Sequence, residues 1–520
     1  MSDFDDESAV GSLDWRDLYE MDLPKAIRAI LSLAAVSVAA TWTPLEWRDS
    51  VAGVQPMTGI VLWADNGRNA TDAVALEFSY MSFAAVSPAD GVWNWKPVDS
   101  LLDKVASRKH QAILRFRYEY VAEKTTVPAW IQAKPGYQET VGKSEGQDTW
   151  FSDWRSTDLM RFTLDFHTAF AKRYQDDPRL AFVQVGFGLW AEYHIYDGPM
   201  VLGRTFPDRA FQTNFVRHLD TTYTRLPWSI SIDAANDWAP FDSVPALKNL
   251  GFGLFDDSFL HQTHDAENRP NWLYFGETRW KRRPAGGEFS YYSDFDQQHV
   301  LDSAGIYGRT FESQASRYGI SYMIGNDQLG FHTVGRVAQA SRACGYRFKA
   351  VEWEASKDSF RLGLTNSGVA PLYRDAYAVV GSDTSKVSLK GIGAGDTIRL
   401  LFARRDASVP RPSIACGHCV AGQKIGVDAN LAGEGAKVRV RRSTESFQWM
   451  HGASGWLYTG AMERMVSVFT LDGRSVWRGV LQGNDGIWKR LPVDGANRIL
   501  RFVEEPVDFV AASVGGPRAE

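Results

Sequence analysis

Ala181-Phe-Val-Gln-Val-Gly-Phe187 runs directly into Gly188-Leu-Trp190-Ala-Glu192-Tyr-His194. The first stretch is a short apolar run with the length of a buried strand, and the second is a polar cluster set among aromatics. Residues 157–174, just upstream, carry apolar side chains at helical spacing. A helix followed by an apolar strand is the repeating unit of a parallel sheet with crossover helices.

The same unit recurs on both sides. Candidate strands lie at 59–64, 75–83, 112–118, 181–187, 228–233, 251–255, 288–292 and 320–324. Helical patterns lie at 98–107, 157–174, 211–224, 310–318 and 334–344. Eight strands with interleaved helices match the size of a TIM (β/α)8 barrel, about 250 residues, and the barrel is expected at 55–345. Residues 1–54 form an N-terminal extension.

After Gly345 the pattern changes. Short strands bounded by Gly, Ser, Asp and Pro are expected at 346–355, 359–365, 376–380, 386–389 and 396–403. Others are expected at 437–441, 465–471, 474–481 and 499–503, and Leu471-Asp-Gly-Arg474 is a hairpin signal. The α/β barrel is therefore expected to precede an all-β, sandwich-like region. Its first part spans 346–405, and 406–520 is its C-terminal part or a second β module.

A chain of 520 residues exceeds one ordinary core. The net charge is -5 and no Lys/Arg-rich run occurs, so nothing points to nucleic acid. Aromatic residues make up 13% of the chain, and Trp and Tyr offer flat surfaces, apolar on the face and polar at the edge, suited to sugar rings. Cys416-Gly-His-Cys419 lies between Pro412 and Gly422, in a loop context. No second such pair exists, which excludes a four-cysteine zinc site. A local disulfide or two idle thiols is expected.

Read from Met21, a short basic stretch precedes the apolar run at 29–40. This reads either as a signal peptide or as an amphipathic helix on the barrel. A start at Met21 implies a periplasmic or secreted protein, and otherwise a cytoplasmic one. The run is too short for stable membrane insertion. Mass spectrometry of the mature N-terminus separates the two.

In a TIM barrel the site lies at the C-terminal ends of the strands. Arg115, Arg117 and Glu119 stand there on the third strand, and Trp190, Glu192 and His194 follow the fourth. Asp233 and Asn236 follow the fifth, Asp256 and Asp257 the sixth, and Asn326 and Asp327 the eighth. Glu192 leads this set, because a carboxyl packed against Trp190 or Tyr193 loses solvation and holds its proton, as a general acid must. Glu288 follows two glycines that permit close backbone approach, but a strand at 288–292 places it at the opening end.

Pro88-Ala-Asp-Gly91-Val-Trp-Asn94-Trp95, followed by Ala112-Ile-Leu-Arg115-Phe-Arg117, resembles the second and third units of clan A-type (β/α)8 glycoside hydrolases. Gly188-Leu-Trp190-Ala-Glu192-Tyr-His194 and Gly286-Gly287-Glu288 resemble the Gly-x-Trp-Gly-Glu-Trp-His and Gly-Gly-Glu stretches of a bacterial barrel family related to that clan. The resemblance implies a retaining glycoside hydrolase, with Glu192 as acid/base and Glu288 as nucleophile and with no cofactor or metal. Its partner would be a polysaccharide or oligosaccharide. Arg117, Glu119, Trp190, His194, Asp233, Asn236, Asp257, Asn326, Asp327 and Trp63 are the candidate substrate-binding residues, with Trp238 a further stacking platform. The clan carries Asn before its acid/base Glu, where this chain has Ala191, so Asn236 or His194 would take over that contact. An inverting hydrolase with Asp257 or Asp327 as base, a polysaccharide lyase and a non-catalytic glycan-binding protein stay open as alternatives.

Overall fold

The computed structural model describes residues 41–433 in full, and beyond them five strands between 448 and 506. The chain divides into two compact units, 1–435 and 436–520.

The first unit is built on a closed barrel of eight parallel strands in sequential order. They are β1 (Gly59–Trp63), β2 (Leu76–Ser82), β3 (Gln111–Arg117), β4 (Leu180–Val185), β5 (Trp228–Ser231), β6 (Gly253–Phe259), β7 (Ala285–Phe289) and β8 (Tyr322–Ile324). Helices at Lys96–Ala106, Thr157–Tyr174, Arg209–Thr222, His264–Tyr274, Phe311–Tyr318 and Val334–Arg342 surround it. Four of them open on a side-chain cap, from Ser156, Asp208, Thr310 and Thr333. Each cap satisfies an amide that has no partner within its helix. No described helix is long and apolar enough to cross a membrane.

Two strands differ most from the sequence expectation. The sixth begins at Gly253 and runs to Phe259. The seventh is Ala285–Phe289, not 288–292. Ala-Gly-Gly reads as loop by composition, yet Ala285, Gly286 and Gly287 pair with Leu254, Phe255 and Asp256. The barrel leaves no room for side chains there. A Cβ on Gly286 would lie 2.3 Å from the Tyr322 ring, and one on Gly287 would lie 2.2 Å from the Asp256 carbonyl oxygen. The earlier start moves Glu288 from the opening of the strand to its C-terminal end.

The β-rich part of this first unit packs against the opposite face of the barrel. One sheet runs Thr397–Ala403, Ser359–Asn366, Phe348–Ala355, Val427–Leu431 and Trp47–Asp49, with Thr43–Pro44 paired to Phe348–Ala355. The segment before the barrel thus supplies two of its strands. Phe348, Trp353, Leu362 and Phe402 from this sheet share one buried cluster with Val61, Phe78, Ile113 and Phe182 of the barrel. Arg374 anchors the contact, donating to the carbonyls of Gln175 (2.6 Å), Leu180 (2.8 Å) and Arg225 (3.1 Å) near the entrances of β4 and β5. Among the described residues of this unit, the face bearing the C-terminal strand ends is left as a cleft.

A smaller sheet joins Asp383–Thr384, Tyr377–Val380 and Ser413–Ala415. The strand expected at 386–389 does not form. Gly381 adopts φ 61° and turns the chain so that Asp383 and Thr384 take the pairing positions beside Val380 and Val379. Leu389 is instead a buried anchor in the following loop. Cys344, Cys416 and Cys419 are all unpaired.

In the second unit, Arg464–Thr470 pairs antiparallel with both Ser475–Leu481 and Leu500–Pro506. Gln448–Gly452 and Gly455–Thr459 form a further hairpin. The strand expected at 437–441, the 471–474 turn and the apolar run at 29–40 lie outside the described residues.

Candidate active site

The Glu192 side chain is placed by backbone geometry. After β4 the chain folds into a tight loop in which the amides of Phe187 and Gly188 both donate to the Glu192 carbonyl, at 3.0 and 2.9 Å. The amides of Ala191 and Glu192 donate back to Gly188 and Leu189, each at 3.0 Å. The loop holds Trp190 and Ala191 in the left-handed region, at φ 58° and 54°. This conformation costs an L-residue roughly 1–2 kcal/mol, so the surrounding contacts must enforce it. Gly188 is obligatory, since a Cβ there would lie 1.7 Å from the His194 carbonyl oxygen.

Arg115 fills the centre of the barrel below this loop and is fully buried. Its Nε donates to Gln184 Oε1 (2.8 Å), and its Nη1 donates to Glu192 Oε1 (3.2 Å), the Trp190 carbonyl (3.1 Å) and the Tyr80 hydroxyl (3.3 Å). The guanidinium also lies 4.3 Å from the centre of the Phe255 ring. A buried charge of this kind needs paired anions, and the carboxylates at the barrel mouth supply them.

Glu192 is only 4% exposed. Burial, and then the neighbouring carboxyl of Asp257, push its pKa well above the ordinary carboxylate range, against the pull of Arg115. Beside it, His194 Nε2 lies 3.6 Å from Glu192 Oε2, and His194 Nδ1 lies 3.3 Å from Asp233 Oδ1. Burial disfavours the imidazolium, but Asp233 and Asp257 outweigh it and raise His194 to about 9. Asp233 is correspondingly held below its usual range by His194 despite its burial. Asp257 is raised by burial and by Asp233.

Glu288 projects from β7 into the same cleft and is 9% exposed. Burial raises it to about 7; Arg115 pulls it down, while Asp257 and Asp327 push it further up. Asp256, next along β6, turns away from the cleft. It accepts from Trp272 Nε1 (2.8 Å) and Asn268 Nδ2 (2.7 Å), and burial raises it to about 8.

The cleft at the barrel mouth holds about 720 Å³. Glu192, His194, Asp233, Asp257, Glu288, Trp63 and Trp190 from the sequence-derived set all line it. The other candidates do not. Arg117 pairs with Glu123 at 2.7 Å and lies over the Tyr120 ring. Glu119 is fully buried and accepts from the Ser152 amide at 2.9 Å. Asn236 braces its own turn, accepting from the amides of Trp238 and Ala239. Asn326 accepts from the Trp63 amide at 3.0 Å and so orients Trp63 from behind. Asp327 accepts from the Tyr291 hydroxyl at 3.2 Å. Trp238 donates to the Tyr193 carbonyl at 3.4 Å and packs against the core.

Several lining residues escaped the sequence reading. Tyr80 and Tyr120 come from β2 and the loop after β3, and Tyr291 and Tyr292 follow β7 directly. Glu145, at the turn of the Thr140–Ser144 and Gln147–Phe151 hairpin, accepts from Tyr196, whose hydroxyl in turn accepts from Trp190 Nε1 at 3.3 Å. Glu267, Asn268 and Asn271 descend from the helix after β6. Strand alternation carries a signal for Arg115, which stands inward beside the outward Leu114 and Phe116. The tyrosines after β7 become visible only once the end of that strand is placed.

No protein-family model and no curated protein sequence matches the chain. Solved structures with a similar trace include the catalytic domain of a β-amylase from Paenibacillus polymyxa, at 10% identity, covering 55% of this chain and 98% of that one, with a TM-score of 0.35. A GH5_18 from Bifidobacterium longum subsp. infantis shares 12% identity over 55% of this chain and 74% of that one, with a TM-score of 0.34. A cold-adapted β-galactosidase from Rahnella sp. R3 shares 11% over 59% of each chain, also at 0.34. At these identities the likeness is one of fold and assigns no activity.

Proposed function

We propose that this chain is a retaining glycoside hydrolase acting on a polysaccharide or oligosaccharide, with Glu192 as acid/base and Glu288 as nucleophile. One observation carries the reading: two buried carboxyls, after β4 and at the end of β7, line a single cleft in environments that separate their roles. Burial and Asp257 hold the Glu192 pKa well above the ordinary carboxylate range, whereas Glu288 is raised only to about 7. Groups set apart in this way are suited to acid and base work at one pH.

Glu192 protonates the glycosidic oxygen as the carboxylate of Glu288 attacks the anomeric carbon. The C–O bond to the leaving sugar breaks and a glycosyl ester forms on Glu288. Glu192 then takes a proton from water, whose oxygen attacks the anomeric carbon and releases Glu288. Trp63, Trp190 and the cleft tyrosines offer faces for sugar rings. An inverting base must stand about 6.5–9.5 Å from the acid to admit a water. Asp257 comes too close to Glu192 for that, within 4.8 Å, and Asp327 does not line the cleft.

The test is Glu192→Gln and Glu288→Gln on a glycan that the unaltered chain cleaves. Removal of an acid/base group is expected to cost about 10²–10⁴-fold in rate. A 2-fluoro glycoside should leave its sugar covalently on a peptide containing Glu288. Full activity in both variants would sink the proposal.

A further inference from the structure

Glu192, His194 and Asp257 each turn a ligand-type atom towards one point at the cleft wall, all within 4.8 Å of one another. We infer that these three side chains form a binding site for a divalent transition-metal cation of the zinc class, and that the ion blocks glycoside cleavage by occupying Glu192.

Three observations converge on this site. First, one of its spacings is close to what zinc requires. Zinc–nitrogen and zinc–oxygen bonds are about 2.0–2.2 Å, which sets tetrahedral ligands roughly 3.4 Å apart. His194 Nε2 and Glu192 Oε2 are separated by 3.6 Å. Second, the outer contacts are those that orient metal ligands. Asp233 faces Nδ1 of His194 at 3.3 Å and leaves Nε2 as the ring nitrogen nearest Glu192, the carboxylate–histidine arrangement found behind metal-bound imidazoles. Third, Glu192 and Asp257 meet as two carboxyls. Arg115 donates to Glu192 through Oε1, the Glu192 side chain is 4% exposed, and it lies within hydrogen-bonding reach of Asp257, a juxtaposition that calls for a proton or a cation between them.

The backbone reinforces the arrangement. Glu192 and His194 are two residues apart on the loop held by Trp190 and Ala191 at positive φ, so their separation is set before any ion arrives. One imidazole and two carboxylates suit zinc, cobalt or manganese better than calcium or magnesium, which prefer oxygen-only sets. The fourth position opens onto the cleft, where a water or a sugar hydroxyl would complete the shell.

The site itself stands apart from the hydrolase reading; only the inhibitory consequence rests on it. The experiment uses the full chain after dialysis against EDTA. Calorimetry with zinc chloride should show one ion per chain, and cobalt chloride should give visible d–d absorption. His194→Ala and Asp257→Asn should abolish binding, and Asp233→Asn should weaken it about 10–100-fold. Circular dichroism establishes that each variant is folded, and the cobalt spectrum of the unaltered chain does not depend on them. Zinc should stop glycan cleavage and EDTA should restore it. Absence of both heat and cobalt bands would overturn the inference and leave a shared proton between the carboxyls. Binding that persists in both ligand variants would also overturn it. Activity that disappears with EDTA and returns with zinc would uphold the site but overturn both its inhibitory role and the metal-free hydrolase mechanism.

Discussion

His167 lies inside the helix Thr157–Tyr174, 3% exposed, with Nδ1 2.8 Å from the Tyr223 hydroxyl and the rings of Phe166, Phe215 and Tyr223 around it. Burial drives it from its ordinary 6.5 to about 3. The folded chain therefore keeps this imidazole neutral where the unfolded chain protonates it. Stability from this group is complete above pH 6.5 and is lost as the pH falls towards 3. With those two values the loss is about 2 kcal/mol at pH 5 and about 3 kcal/mol at pH 4. His167→Phe removes the titration. It also strips the Tyr223 hydroxyl of its partner, a cost of about 1–3 kcal/mol that is the same at every pH. His264, also driven to about 3, is present in both chains and cancels in the comparison. The assay is urea unfolding from pH 7 to pH 4, read by hydrogen exchange of peptides from 157–174. The variant should begin less stable and lose about 2 kcal/mol less than the unaltered chain between pH 7 and pH 5. Parallel curves would refute the claim that burial keeps this histidine neutral.

Two further outcomes bear on the site. The kcat/KM for glycan cleavage should rise about tenfold per pH unit below 7 and level off above it, because Glu288 must lose a proton held to about 7 before it can attack; a flat profile from pH 5 to 7 would count against Glu288 as nucleophile. Gly188→Ala places a methyl 1.7 Å from the His194 carbonyl oxygen, so the Glu192 loop must open, and glycan cleavage should fall by about 10²-fold while circular dichroism shows the barrel intact; unchanged kinetics would show that the loop does not position the acid.

The barrel was legible in the sequence because it rests on short-range pattern. Apolar runs of strand length alternate with helical spacing, and the helix Thr157–Tyr174 carries its cap, Ser156, one residue ahead. Glu192 was legible for the same reason, as a carboxyl directly after an apolar strand and among aromatics. Chemical type alone could not separate Asp233 and Asp257, which line the cleft, from Glu119 and Asn326, which brace it from behind. Strand alternation and local turns decide which way each side chain points.

Tertiary contact decided the rest. Ala285-Gly-Gly fits as a strand where Tyr322 and the Asp256 backbone leave no space for side chains, and this alone carries Glu288 to the C-terminal end of β7. Arg115 is a site residue because four elements distant in sequence close around one buried charge. The sequence by itself determined the order of strands and helices and the end of the barrel where chemistry gathers, since both follow from periodicity. Which carboxyls meet and which histidine stays neutral depend on distances across the barrel, and those exist only once the eight strands have closed.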